Sequence, residues 1–206
     1  CDRSRLDPQK PIIALLPGSR HKEIVRILPI MLETATEMTK KDSELQFVIA
    51  VARGRNRSDV DKALMEAPDL PKVLRIVEND TYNALAHSDA AAVTSGTATL
   101  ETGILGTPLV IVYATSALNY ALLKPLISVE HYGLINLIAG KKVAKELIQN
   151  DFTPVTLSTE LFRLLEPEVN REMREDLRIA REKLGSGGAS RRAAEAILKL
   201  LGGSEK

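Results

Sequence analysis

Short apolar runs alternate with longer amphipathic segments from residue 11 to about residue 127. The runs at 12–16 (IIALL), 46–52 (QFVIAVA), 73–77 (VLRIV), 90–94 (AAAVT) and 109–114 (LVIVYA) are short and largely apolar, as buried parallel strands are. Between the first two, Ile24, Ile27, Leu28, Met31, Ala35 and Met38 recur at helical spacing and predict a helix over about 21–40. SDVDKALMEA (58–67) and TYNALAHS (81–88) predict two shorter helices. TATLETGILG (97–106) predicts another, stopped by Gly106 ahead of Pro108. Strand and helix in alternation imply βαβ units and hence an α/β fold with a parallel sheet and flanking helices.

After residue 115 the rhythm becomes helix upon helix. The pattern predicts helices at 116–127 (SALNYALLKPLI), 141–149 (KKVAKELIQ), 157–165 (LSTELFRLL) and 168–184 (EVNREMREDLRIAREKL), a loop over 130–140, and no clear strand. GSGGAS (185–190) is a flexible break before a last helix, RRAAEAILKLL (191–201). Its face of Ala189, Ala193, Ala194, Ile197, Leu198 and Leu201 has two readings. Either it docks on its own chain, as most amphipathic faces do, or it crosses the Gly-rich break to another domain or subunit. The expected organisation is an N-terminal segment or inter-domain linker (1–10), a main domain (11–184), and the break with its terminal helix (185–206).

Composition narrows the function. With 206 residues, 44% hydrophobic and 27% charged, the chain can bury a core without staples. Aromatic residues are only 3% and Trp is absent, which argues against base stacking. A net charge of +1 supplies no global field for a polyanion, so nucleic acid is not an expected partner and anion recognition must be local. Cys1 is the single cysteine, so neither an intrachain disulfide nor a Cys-based metal site is expected, which fits a reducing compartment. His21, His87 and His131 are scattered and the carboxylates lack ligand spacing; no metal and no cofactor are expected. No run suggests a membrane-spanning helix or a signal peptide. The start at Cys1, without an initiator Met, raises the expectation of a segment of a longer protein.

Ligands of open parallel α/β sheets bind outside the carboxyl ends of the strands, so the turns there carry the candidate chemistry. The first is Pro17-Gly18-Ser19-Arg20. Gly18 permits a sharp turn and close approach, Ser19 can cap the helix or donate to an oxygen, and Arg20 offers a fork matched to phosphate. A plain helix cap with Arg20 in solvent explains the same residues. It is not a Walker loop, because the Gly-Lys-Ser/Thr ending is missing. The second turn, VTSGTATLE (93–101), crowds Thr94, Ser95, Thr97 and Thr99 around Gly96 directly before a helix and makes a better anion cradle. Glu101 could accept from sugar hydroxyls or serve the helix dipole. Two such turns favour a diphosphate ligand. The third region, EHYGLINLIAG (130–140), holds Glu130, His131, Tyr132 and Asn136; Asn136 reads equally as a functional loop residue or as a cap or buried amide.

LLPGSR with Glu23, then SGTATLE, then NLIAG followed by KELIQ resembles the lipid-A-disaccharide synthase family over about residues 11–201. The resemblance implies the C-terminal, donor-binding half of a metal-independent, inverting GT-B glycosyltransferase, with a Rossmann-like domain and the active site in a cleft against an N-terminal domain. The implied donor is UDP-2,3-diacylglucosamine and the acceptor 2,3-diacylglucosamine 1-phosphate; lipid A biosynthesis would place the protein in the bacterial cytoplasm, peripheral at the inner membrane. Ser19 and Arg20, beside Gly18, would meet the donor diphosphate; Ser95, Gly96, Thr97, Ala98 and Thr99 would line it; Glu101 would hold the ribose. Asn136 would contribute to the nucleotide site, with a swapped homodimer as one arrangement. Uracil contacts are expected from backbone near 76–83. The general base is expected in the absent N-terminal domain, so no catalytic residue is assigned, and the chain alone would bind UDP weakly and not turn over. ALNYALLKPLI (117–127), with Lys124, is either a core-packed helix or a membrane-surface contact. Rival readings are a UDP-N-acetylglucosamine 2-epimerase, a peptidoglycan N-acetylglucosaminyl transferase, and a non-catalytic nucleotide-sugar-binding module.

Overall fold

The computed structural model describes residues 6–51, 57–116, 131–185 and 187–202. Five strands form where the apolar runs predict them: β1 (Ile12–Leu16), β2 (Gln46–Val51), β3 (Leu74–Glu78), β4 (Ala90–Thr94) and β5 (Leu109–Tyr113). With β6 (Glu146–Ile148) they make a six-stranded parallel sheet in the order β3-β2-β1-β4-β5-β6, the Rossmann-like order. Order reverses beside β1, so the carboxyl ends of β1 and β4 flank the crevice where such sheets take ligands. β1, β2 and β4 are buried along their whole length, which is why they read as unbroken apolar runs.

The helices that cover the sheet are α1 (His21–Lys41), α2 (Arg57–Glu66), α3 (Thr81–Ala86), α4 (Thr97–Leu105), α5 (Leu134–Ala139), α6 (Pro154–Leu165) and α7 (Pro167–Lys183), with α8 (Ala189–Gly202) beyond them. α1 buries the predicted face, from Ile24 to Met38. Pro29 lies within it and cannot donate to the Val25 carbonyl, but both residues face solvent, where water can serve that group. Ala90, Ala91 and Ala92 keep β4 slim, and α6 packs on that strand and on α1 in the space left.

Two expectations from the pattern need correction, and for the last helix one of two readings is favoured. Residues 141–149 are not a helix: they form a turn, then β6, then the start of a 3-10 turn, Gln149–Asp151. A three-residue strand is too short to show a period of two, and Val143, Ala144, Leu147 and Ile148 happen to sit at helical spacing; pairing with β5 overrides that signal. Residues 134–139 are helix rather than loop, because Gly140, read as loop punctuation, ends the helix in the left-handed conformation (φ 67°). The apolar face of α8 is not buried on its own chain: Ile197, Leu198 and Leu201 are 57%, 67% and 69% exposed. The Gly-containing break separates it from the packed body. The helix expected at 116–127, and Glu130, lie outside the described residues except for Ser116.

Candidate functional site

A cavity of about 970 Å³ opens at the carboxyl ends of β1, β3 and β4, large enough for a nucleotide-sized ligand. Gly18, Ser19, Arg20, Ser95, Gly96, Thr97, Ala98 and Glu101 line it, so both predicted turns meet there. The Thr94 hydroxyl, buried, donates to the Leu16 carbonyl at 2.9 Å and ties the two strand ends together beneath the turns.

At the first turn the start of α1 is already occupied. Glu23 folds back so that one carboxylate oxygen accepts from the backbone N–H groups of Ser19 (3.1 Å) and Arg20 (3.3 Å), while the other accepts from Arg20 Nη1 at 2.7 Å. This is half of a capping box, with the side chain supplying the anion that a helix start attracts. The carboxylate, through that hydrogen bond and then its charge, raises the Arg20 pKa above its ordinary value. Gly18 is the only residue type that fits: its φ is +106°, and a β-carbon would lie 2.5 Å from Glu23 Oε2. Arg20 itself stands at the rim with its side chain 80% exposed. His21 Nδ1, 2.9 Å from Asp59 Oδ1, ties the same helix start to α2.

The second turn is different. Gly96 precedes α4 and, among the described residues, no side chain caps that helix and no atom lies within 4 Å of a β-carbon placed on Gly96. The first-turn N–H groups of Thr97 and Ala98 have no acceptor within the helix, and both residues line the cavity. Glu101, half-buried in the wall, forms no hydrogen bond or ion pair among the described residues, so its carboxylate is an unspent acceptor. Thr99 is fully buried and turns its hydroxyl back to the Gly96 carbonyl at 2.8 Å; it shapes the turn and does not face the cavity.

The third region divides. Tyr132 and Leu134 line the cavity, and the Ser95 hydroxyl donates to the Tyr132 carbonyl at 2.8 Å. Asn136 is not brought to the cavity. Fully buried, its amide nitrogen donates to Ala144 O and Glu146 Oε1, and its oxygen accepts from the N–H groups of Val143 and Ala144, all at 2.8–2.9 Å. Of its two readings from sequence, the geometry is that of a buried amide.

Sequence reasoning assigned only backbone roles near 76–83, whereas Asn79, Asp80, Thr81, Tyr82 and Asn83 all line the cavity. Tyr82 is 59% exposed there, and Asn83 Nδ2 donates to Asp80 Oδ1 at 2.5 Å. Their position directly after β3 was the available signal, by the same strand-end rule that marked the other turns. Among the described residues no group of three or more His, Cys, Asp or Glu could hold a metal ion, and no helix is long and apolar enough to cross a membrane.

Comparison with known proteins gives this geometry a family. The solved structure of UDP-GlcNAc 2-epimerase from Neisseria meningitidis bound to UDP-GlcNAc is similar over 94% of this chain and 46% of that one, with TM-score 0.61 and 18% identity. The calicheamicin glycosyltransferase CalG4 covers 97% of this chain and 46% of its own, with TM-score 0.58 and 18% identity. At such identities the likeness shows the fold alone, the Rossmann-like unit of GT-B glycosyltransferases and epimerases. Sequence similarity is closer to the lipid-A-disaccharide synthases of two bacteria. That of Syntrophus aciditrophicus is 43% identical over 92% of this chain and 49% of its own length; that of Trichlorobacter lovleyi is 41% identical over 95% and 51%. The chain thus spans about half the length of the curated relatives it matches. A sequence model described as lipid-A-disaccharide synthetase matches residues 1–200, and with the relatives it establishes that this chain belongs to the lipid-A-disaccharide synthetase family.

Proposed function

We propose that the chain is the C-terminal, donor-binding half of a lipid-A-disaccharide synthase. The acceptor, 2,3-diacylglucosamine 1-phosphate, attacks the anomeric carbon of UDP-2,3-diacylglucosamine through a hydroxyl oxygen. The bond to the diphosphate oxygen breaks with inversion, UDP leaves with the electron pair, and a general base in the N-terminal half takes the hydroxyl proton. The observation that carries this reading is the uncapped start of α4 beside the unpartnered Glu101 carboxylate, both on one cavity. Oriented N–H groups of Thr97 and Ala98 favour the charge that develops on the departing diphosphate, with no reorganisation at the moment of reaction. Glu101 accepts from the ribose hydroxyls. The UDP-GlcNAc in the Neisseria protein of the same fold supports a UDP-sugar as the ligand class.

The other half supplies the opposite wall of the cleft. The exposed apolar face of α8 docks on it, within one polypeptide or across a homodimer. The site works in the bacterial cytoplasm at the inner-membrane surface, where acylated substrates reside.

Titration of UDP into the 206-residue chain tests the donor site. Wild type binds weakly, and Glu101→Ala lowers the affinity about tenfold, the loss of a charged hydrogen-bond acceptor. Equal binding by both proteins overturns the reading. Disaccharide formation by this chain alone, given both acylated substrates, overturns the division of labour between halves.

A further inference from the structure

We infer that Glu146 is a positioning residue for the donor cavity, acting through the backbone of Tyr132; the inference rests on the donor-site reading above. Glu146 does not line the cavity. It begins β6, where pairing with Ile111 of β5 sets it beside the 132–136 segment. Its carboxylate accepts from the N–H groups of Tyr132 (3.0 Å) and Gly133 (2.9 Å) and from Asn136 Nδ2 (2.9 Å). Ser95, which does line the cavity, donates from its hydroxyl to the Tyr132 carbonyl at 2.8 Å. Tyr132 is therefore gripped at both its N–H and its C=O.

The grip has no slack. A β-carbon on Gly133 would come within 2.1 Å of Ile111 Cδ1, so this backbone lies directly on β5. Asn136 spends both amide hydrogens and its oxygen inside the same cluster, which fixes the start of α5 against the turn before β6. One carboxylate thus organises three donors behind the wall, and Ser95 passes that placement to the Gly96 turn where the diphosphate sits. Side chains that contact a ligand hold their geometry only as well as the residues behind them are held.

The test is UDP titration of the chain carrying Glu146→Ala, Glu146→Gln, Ser95→Ala or the Ser95→Ala/Glu146→Ala pair, each with a thermal melt to establish folding. Glu146→Ala is expected to weaken UDP binding about tenfold at temperatures well below its melting point. Glu146→Gln, whose Oε1 can still accept from Gly133 and Asn136, stays within about threefold of wild type. The double variant loses less than the product of the single losses, because both side chains act through one peptide. A Glu146→Ala protein that melts earlier yet binds UDP like wild type overturns the inference and leaves a purely structural role. Should Glu146→Ala not fold, Glu146→Asp retracts the carboxylate by one methylene and is expected to weaken binding about threefold; unchanged binding there is equally fatal. If wild-type binding responds to Glu101→Ala and to no Glu146 variant, only this inference fails. If Glu101→Ala has no effect or wild type does not bind UDP, the donor-site reading fails with it.

Discussion

Two turns face one cavity, and both look in sequence like anion sites: a glycine, a hydroxyl and a helix start. They differ in what already fills them. At residues 17–20 the chain supplies its own anion, since Glu23 takes the N–H groups of Ser19 and Arg20 and the Arg20 guanidinium together. At residues 95–98 no side chain among the described residues caps α4, and none of their atoms comes within 4 Å of a β-carbon placed on Gly96. A helix start attracts negative charge in either case; only the second has that attraction left for a ligand. In the donor site proposed above, the first turn is a wall whose anion position is already taken, and the second is the seat for the diphosphate.

Exchanging the two glycines gives the largest contrast. Gly18→Ala must move Glu23 and hold alanine at positive φ, so a loss of about 2 to 3 kcal/mol is expected in urea unfolding. Gly96→Ala carries only the backbone strain, about 1 kcal/mol, because the added carbon meets open space. Equal losses would remove the distinction between the turns. Glu23→Ala is expected next in size: about 1 kcal/mol of stability is lost with the cap, and inorganic phosphate should then raise the melting temperature more than it does for wild type. Were phosphate to act on both proteins alike, Glu23 would not be the anion of that helix start. Arg20→Ala should matter least. The guanidinium is exposed and paired on one side only, so the melting temperature stays near that of wild type and UDP binding weakens about threefold at low salt, less at high salt. A loss larger than that of Glu101→Ala would move the diphosphate seat to the first turn.

The legible and illegible parts of this protein divide by distance along the chain. Strands β1, β2, β4 and β5 were legible because each is buried enough to be a largely apolar run, the half-buried β3 because Leu74, Ile76 and Val77 still stand out, and α1 to α4 because their faces or caps are local signals. Of the ten candidate donor-site residues, Gly18, Ser19, Arg20, Ser95, Gly96, Thr97, Ala98 and Glu101 reach the cavity, since turns at strand ends can be located from local signals alone. The Glu23 cap was also readable: an acid in the third position of a helix is half of a known signature. Thr99 and Asn136 look like site residues in sequence because they are polar, and the structure uses that polarity inward, on Gly96 O and on the turn before β6. β6 had no strand signal of its own, because a three-residue edge strand exists only through its neighbour, and KELIQ marked Glu146 only as part of the family pattern, not by any local physical signal for its role.

By itself, then, the sequence determined the class of fold, the order of its βα units over residues 11–114, the location of the two glycine turns and the family to which the chain belongs. Only the tertiary structure decided that these turns share a cavity, that one is closed by its own carboxylate and the other open, and that Glu146 rather than Asn136 alone anchors the Tyr132 wall. The physical reason lies in the range of the forces read. Periodicity and capping are properties of residues a few positions apart, whereas the bonds that assemble the site join Leu16 to Thr94, Ser95 to Tyr132 and Tyr132 to Glu146, across 78, 37 and 14 positions. Those partners are chosen by the packing of the sheet.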